Sequence, residues 1–136
     1  MNPILITGAL LGFLSVAIGA AADHALRGSA EPAALESLMT ALRYHQLGAL
    51  IISMIGLALW AQPRLLSIRW LPRAGWLFVA GTVLFSFSIY ASVLTGMRAL
   101  TFLTPVGGVT LMAAWLALAW AAFGGGRPAN SAVTAR

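Results

Sequence analysis

The chain alternates long apolar stretches with short polar ones. Segment one runs from Pro3 to Ala22 without a charge, and segment two from Tyr44 to Pro63, between Arg43 and Arg64. Segment three runs from Ala74 to Met97. Segment four lies within the uncharged stretch from Ala99 to Gly126, with its core at Pro105 to Phe123. Each supplies the ~20 residues that a helix needs to cross the hydrocarbon of a bilayer. Backbone polar groups find no water there, so helices are predicted. Membrane β-strands would be shorter and would alternate in polarity.

The polar stretch Asp23 to Arg43 carries a helical pattern of its own. Leu35, Leu38, Met39 and Leu42 fall on one helical face. Pro32 suits a first turn, and Ser29 or Glu31 is placed to cap it. The expectation is a short amphipathic helix at the interface, running into segment two. The fold class that follows is an all-α integral membrane protein, a bundle of four transmembrane helices over residues 1–123. Residues 124–136, glycine-rich and then small and polar, read as a disordered cytoplasmic tail.

Composition agrees. Hydrophobic residues make up 60% of the chain and charged residues 8%, against about 25% charged in soluble domains. A surface this apolar must face lipid or a large partner. There are no cysteines, which removes disulfides and thiolate chemistry. Segment one ends in Gly19-Ala20-Ala21-Ala22, which resembles a signal-peptide cleavage site. No Arg or Lys precedes it, so an uncleaved helix is expected.

The net charge is +5, and every basic residue is arginine. The arginines sit between apolar segments or in the tail, without interleaved aromatics. They read as headgroup anchors, not as a nucleic-acid surface. Arg64, Arg69, Arg73, Arg127 and Arg136 fall on one side of the predicted bundle. Arg27, Arg43 and Arg98 fall on the other, with all three acids, Asp23, Glu31 and Glu36. This asymmetry predicts a bacterial inner-membrane protein with both termini in the cytoplasm. Trp60, Trp70, Trp76 and Trp120 would form an aromatic belt near that face, with Trp115 deeper.

Ionisable groups in membranes are expensive and merit attention. Asp23 and His24 end segment one, with Arg27 one turn beyond Asp23. An interfacial ion pair is the first reading and a proton-responsive site the second. His45, at the start of segment two, is placed to face His24, but no paired metal-ligand spacing exists and no metal is expected. Segment three carries Thr82, Ser86 and Tyr90 on one face and Ser88, Ser92 and Thr95 on roughly the opposite one. Such hydroxyls bond their own helix or join helices, or line a path for a small solute. No serine has an evident base beside it, so no enzyme is predicted.

Small residues suggest contact faces. Gly8, Gly12, Ser15 and Gly19 recur along segment one at three- and four-residue steps. Segment four opens Thr104-Pro105-Val106-Gly107-Gly108, with Thr104 as cap, proline in the first turn and two glycines for close packing. It lacks the lysine of a phosphate loop, and no cofactor is expected.

Together these motifs resemble the DUF423 (UPF0382) group of small bacterial membrane proteins, which is similar to the eukaryotic transmembrane protein 256. The resemblance is carried by Gly19-Ala20 with His24-Ala25-Leu26, by Leu84-Phe85-Ser86 with Ser88-Ile89-Tyr90, and by Leu94-Thr95-Gly96. Thr104-Pro105-Val106-Gly107-Gly108 followed by Trp115 completes it. Asp23 stands where the family usually has alanine. In Tyr44-His45-Gln46-Leu47-Gly48-Ala49-Leu50, Gly48 stands at the usual histidine position, and His45 lies one turn earlier. The resemblance implies four helices in the inner membrane, and no substrate, cofactor or reaction.

Two functions remain open at this point. One is a non-enzymatic packing, scaffold or accessory protein that meets lipids, protein partners or its own copies. The other is a small oligomeric transporter or channel for protons or a small solute. A polar cavity at mid-membrane would favour transport. A closed interior with an exposed apolar groove would favour binding.

Overall fold

The computed structural model describes residues 1–26 and 31–124. Helix α1 spans Pro3–Ala21 and continues as a π turn, Ala22–Leu26; α2 spans Pro32–Ala61. After a 3₁₀ turn, Pro63–Ser67, α3 covers Trp70–Thr82. It continues through a second π turn, Val83–Phe87, into α4, Ser88–Thr95. A 3₁₀ turn, Arg98–Phe102, leads to α5, Leu103–Gly124. Among the described residues, four rods are long and apolar enough to cross a membrane: Pro3–His24, Pro32–Ala61, Trp70–Thr95 and Arg98–Phe123. Four spans therefore stand as predicted. The predicted tail beyond Gly124 lies outside the described residues, as do Arg27 and the capping candidate Ser29.

Local chemistry sets the ends. Asn2 caps α1, its side chain accepting from the Leu5 N–H and donating to the Gly56 carbonyl of α2 at 2.7 Å. One residue thus starts a helix and ties it to its neighbour. Glu31 takes the cap position of α2 without a side-chain bond. Gly96, at φ 70°, ends α4 in the left-handed conformation that glycine reaches without steric cost.

The rods run up, down, up and down. Along α1 and α2, Leu5 lies opposite Gly56, Gly8 opposite Ser53 and Gly19 opposite Leu42. Each step forward on α1 matches an equal step back on α2. The third span and α5 keep a register of the same kind: Gly81 opposite Leu111, Phe85 opposite Gly107, and Ser88 opposite Thr104. Ile4 and Ile55 both meet Gly75, which joins α1 and α2 to α3.

Glycines set how close the helices come. A Cβ on Gly56 would lie 2.6 Å from Leu5 Cα, and one on Gly107 would lie 2.7 Å from Phe85 Cα. Such approach suits a membrane, where lipid is as apolar as leucine and van der Waals contact must drive association. Outside this core, Phe13, Val16, Leu50, Met54, Leu116 and Trp120 are exposed, as lipid-facing residues should be.

Two expectations about helix limits change. The amphipathic stretch is not a separate interfacial helix but the first turns of α2, which is unbroken from Pro32. Nothing in 33–43 interrupts it, and its apolar face buries Leu38, Ala41 and Leu42 in the bundle. Thr104 lies inside α5 instead of capping it; the preceding 3₁₀ turn feeds straight into the helix, and the hydroxyl pairs with Ser88 at 2.7 Å.

Candidate functional site

Two features hold polar side chains within the bundle. The first is the seam between α2 and the third span. Because α2 starts twelve residues before Tyr44, His45 is not at a helix start. It is fully buried, at 0% exposure. Its Nδ1 lies 3.3 Å from the Tyr90 hydroxyl, at the long end of hydrogen-bond range. The Phe87 and Tyr90 rings pack against it at 5.2 and 5.9 Å. Its Nε2 has no hydrogen-bond partner of good geometry among the described residues, although the Leu11 backbone of α1 lies near the ring. His24, by contrast, is exposed. The structure does not bring the two histidines into one site, because α2 turns His45 inward while His24 sits at the outer edge of α1.

Ser86 and Thr82 share the seam with Tyr90, as their four-residue spacing predicts. Ser86 Oγ donates to the Ala41 carbonyl of α2 at 2.9 Å. Thr82 packs on Gly48, and its hydroxyl has no hydrogen-bond partner among the described residues. On the other face, Ser88 Oγ donates to the Phe85 carbonyl at 2.9 Å. That bond satisfies a backbone acceptor inside the π turn, where the regular helical ladder is interrupted. Asp23 is exposed beside His24, and its predicted partner Arg27 lies outside the described residues.

Of the predicted packing glycines, Gly8 and Gly107 are at helix contacts. A Cβ on Gly8 would lie 2.6 Å from Ser53 N. A Cβ on Gly19 would lie 3.3 Å from Leu42 Cδ2, and one on Gly108 would make only ordinary contact with the Phe85 ring at 3.8 Å. Gly12 is a correction: nothing lies within 4 Å of the position a Cβ would take. The helical rotation that turns Gly8 toward α2 leaves Gly12 beside the contact line. Gly48, Gly56 and Gly81 make close contacts that the sequence reading missed; their spacing along α2 and α3 was the available signal.

The second feature is a lateral groove. α2 and α5 both pack on the third span and hardly touch each other. The gap between them has an outer section of about 970 Å³ and an inner one of about 370 Å³, which share Phe85 and Gly108. The outer section is the more polar of the two, with Glu31, Glu36, Ser37, Arg98, Thr101 and Thr104 on its walls beside apolar residues such as Ile89 and Val93. The inner is apolar, lined by Leu47, Ile51, Leu111, Met112 and Trp115. Phe85 stacks at 4.7 Å on Tyr44, and Phe78 meets Trp115 edge-on at 5.1 Å, so aromatic pairs flank the floor. At the opposite end of the bundle, Trp60 and Trp76 line a hollow with Asn2.

Register places this groove relative to the uncharged stretch of α1. Gly19 faces Leu42, so Ala22, the last residue before Asp23, falls level with Met39; it clusters with Leu38 and Ala41. The outer section thus lies level with and beyond the end of the uncharged stretch of α1, and the inner section lies alongside that stretch.

Comparison with known proteins gives the family. The model of DUF423, a protein of unknown function, matches residues 18–108. A UPF0382 membrane protein of Staphylococcus aureus, SAB0533, is 36% identical over 126 residues, covering 90% of this chain and 97% of that one. YwdK of Bacillus subtilis, named a UPF0382 membrane protein, is 34% identical, with 90% and 97% covered. YgdD of Escherichia coli, named a UPF0382 inner membrane protein, is 38% identical, with 82% of each chain covered. No solved structure matches the chain. With four spans and these relatives, the chain belongs to the DUF423 (UPF0382) family of membrane proteins, whose activity is unknown.

Proposed function

We propose that this protein is non-enzymatic and acts by binding, holding a hydrophobic molecule of the membrane in the open groove between α2 and α5. One contrast carries the reading. The contacts of α1 and α3 with α2 are closed, with Gly8, Gly48 and Gly56 each in tight contact across them, whereas α2 and α5 stand apart. Helices so apolar close on each other wherever packing allows. A lasting gap between two of them is the natural place for a guest.

Transport is the weaker reading. It calls for a polar path to mid-membrane, and the inner groove is lined mainly by Leu47, Ile51, Leu111, Met112 and Trp115. The Ser86 and Ser88 hydroxyls are spent on backbone carbonyls. For location we propose the bacterial inner membrane with both termini cytoplasmic. The arginine asymmetry, the even number of spans and the naming of the E. coli relative as an inner membrane protein support it.

A photo-crosslinking amino acid at Met112, inside the groove, tests the binding reading against the same probe at Phe13, on the outer face of α1. Met112 should capture one discrete adduct that saturates, while Phe13 should sample bulk lipid. Identical adduct distributions at the two positions overturn the reading. A crosslinked second copy at Met112 would replace a small guest by a protein partner.

A further inference from the structure

The mouth of the groove has an unusual balance of donors and acceptors. Among the described residues, Glu31 and Glu36 bring two carboxylates and Arg98 one guanidinium. Of the five hydroxyls on its walls, those of Ser37, Thr101 and Thr104 add acceptors, because their protons are already committed, while Thr40 and Ser92 make no such bond among the described residues. Ser37 Oγ donates to the Ala33 carbonyl at 2.9 Å, and Thr101 Oγ1 to the Arg98 carbonyl at 2.7 Å. Ser88 gives its proton to Phe85, so in the Ser88–Thr104 pair Thr104 is the donor. Ser37, Thr101 and Thr104 therefore turn only oxygen lone pairs to the groove. A complementary ligand brings one anion for Arg98 and a cation rich in N–H donors for the rest.

A primary ammonium has three such donors, and a phosphate matches a guanidinium. An anionic headgroup with hydroxyls alone would set its charge against two carboxylates with one cation to balance them. A quaternary ammonium carries the right charge but no N–H.

Length is the second constraint. From Glu31 to Ile51 the groove follows α2 for about 30 Å at the helical rise of ~1.5 Å per residue, long enough to take one leaflet. One leaflet with its headgroups is about 20–22 Å thick. The polar-to-apolar change along the groove follows the same order as a lipid.

Resting on the binding reading above, we propose that the groove holds one phospholipid with a primary-amine headgroup. Its phosphate lies on Arg98, its ammonium between Glu31 and Glu36, and an acyl chain between α2 and α5.

The test uses the full chain, purified, delipidated and examined by native mass spectrometry. The probes are phosphatidylethanolamine, phosphatidylglycerol and phosphatidylcholine with identical acyl chains. A single-lipid adduct should form with a preference for ethanolamine over glycerol of roughly five-fold, the scale of partly exposed charge pairs. Glu31→Gln with Glu36→Gln should flatten that preference. Arg98→Gln should weaken all three lipids alike, since all share the phosphate. Gly108→Leu fills the passage between the two sections and should abolish retention; melting in detergent checks that each variant is folded. Equal retention of the three lipids, with loss in Gly108→Leu, overturns the headgroup assignment and leaves the groove as a binding site. Undiminished retention in a folded Gly108→Leu variant overturns both. A preference that survives the double glutamine change overturns the role given to the carboxylates.

Discussion

His45 on α2 and Tyr90 on α4 join two spans by a contact of 3.3 Å between Nδ1 and the phenolic oxygen. Both are buried, and His45 is enclosed by rings instead of carboxylates. The geometry is that of an interhelical tie. Polar ties inside membranes average only about 0.6 kcal/mol in double-mutant cycles, with a ceiling near 1.7. A cycle of His45→Phe and Tyr90→Phe, read by unfolding in detergent, should give a favourable coupling on that scale. A coupling of zero would mean that the pair is packed but not bonded.

Gly56 and Gly12 should respond in opposite ways to the same change. A Cβ at Gly56 meets Leu5 backbone atoms at 2.5 and 2.6 Å, and one at Gly12 meets nothing. Gly56→Ala should destabilise by about 1–3 kcal/mol, the usual cost of overpacking. Gly12→Ala should be silent or slightly stabilising, since alanine favours helix. Melting temperatures in one detergent decide this, and a larger loss at Gly12 would contradict the α1–α2 register.

Gly48 and Thr82 predict a rescue. The space a Cβ on Gly48 needs is held by the Thr82 side chain, whose hydroxyl has no partner among the described residues. Gly48→Ala should destabilise the chain. Adding Thr82→Ala should recover part of the loss, because it removes the obstructing hydroxyl and methyl while leaving the Cβ at 3.0 Å. Strict additivity of the two changes would rule out direct contact.

Asp23 and His24 should leave proton permeability unchanged. Both are exposed at the end of α1, where water and headgroups solvate them. Vesicles carrying the parent, His24→Ala or Asp23→Asn, each with a trapped pH-sensitive dye, should leak protons at the rate of empty vesicles. Faster flux in the parent, abolished by either substitution, would restore the transporter reading.

Topology has its own check. Reporter domains fused after Arg69 and after Arg136 should both report cytoplasm. A periplasmic signal at either site reverses the proposed orientation.

What the sequence alone determined was the set of spans. Crossing a bilayer requires about 20 apolar residues in a row, a one-dimensional demand, so four segments were legible without any knowledge of neighbours. The face shared by Thr82, Ser86 and Tyr90 was legible too, because helical periodicity alone places them together. The partners of those faces were not. Lipid and helix interior are equally apolar, so hydropathy does not distinguish a residue facing one from a residue facing the other. Gly8 and Gly12 look alike in the sequence, and only the α1–α2 register turns the first into a contact and leaves the second open. His45 looked like the start of a span until α2 proved continuous from Pro32, which carried it inward. The groove was the least legible feature. It exists because α2 and α5 both pack on the third span without closing on each other, a fact about three helices that no single segment encodes.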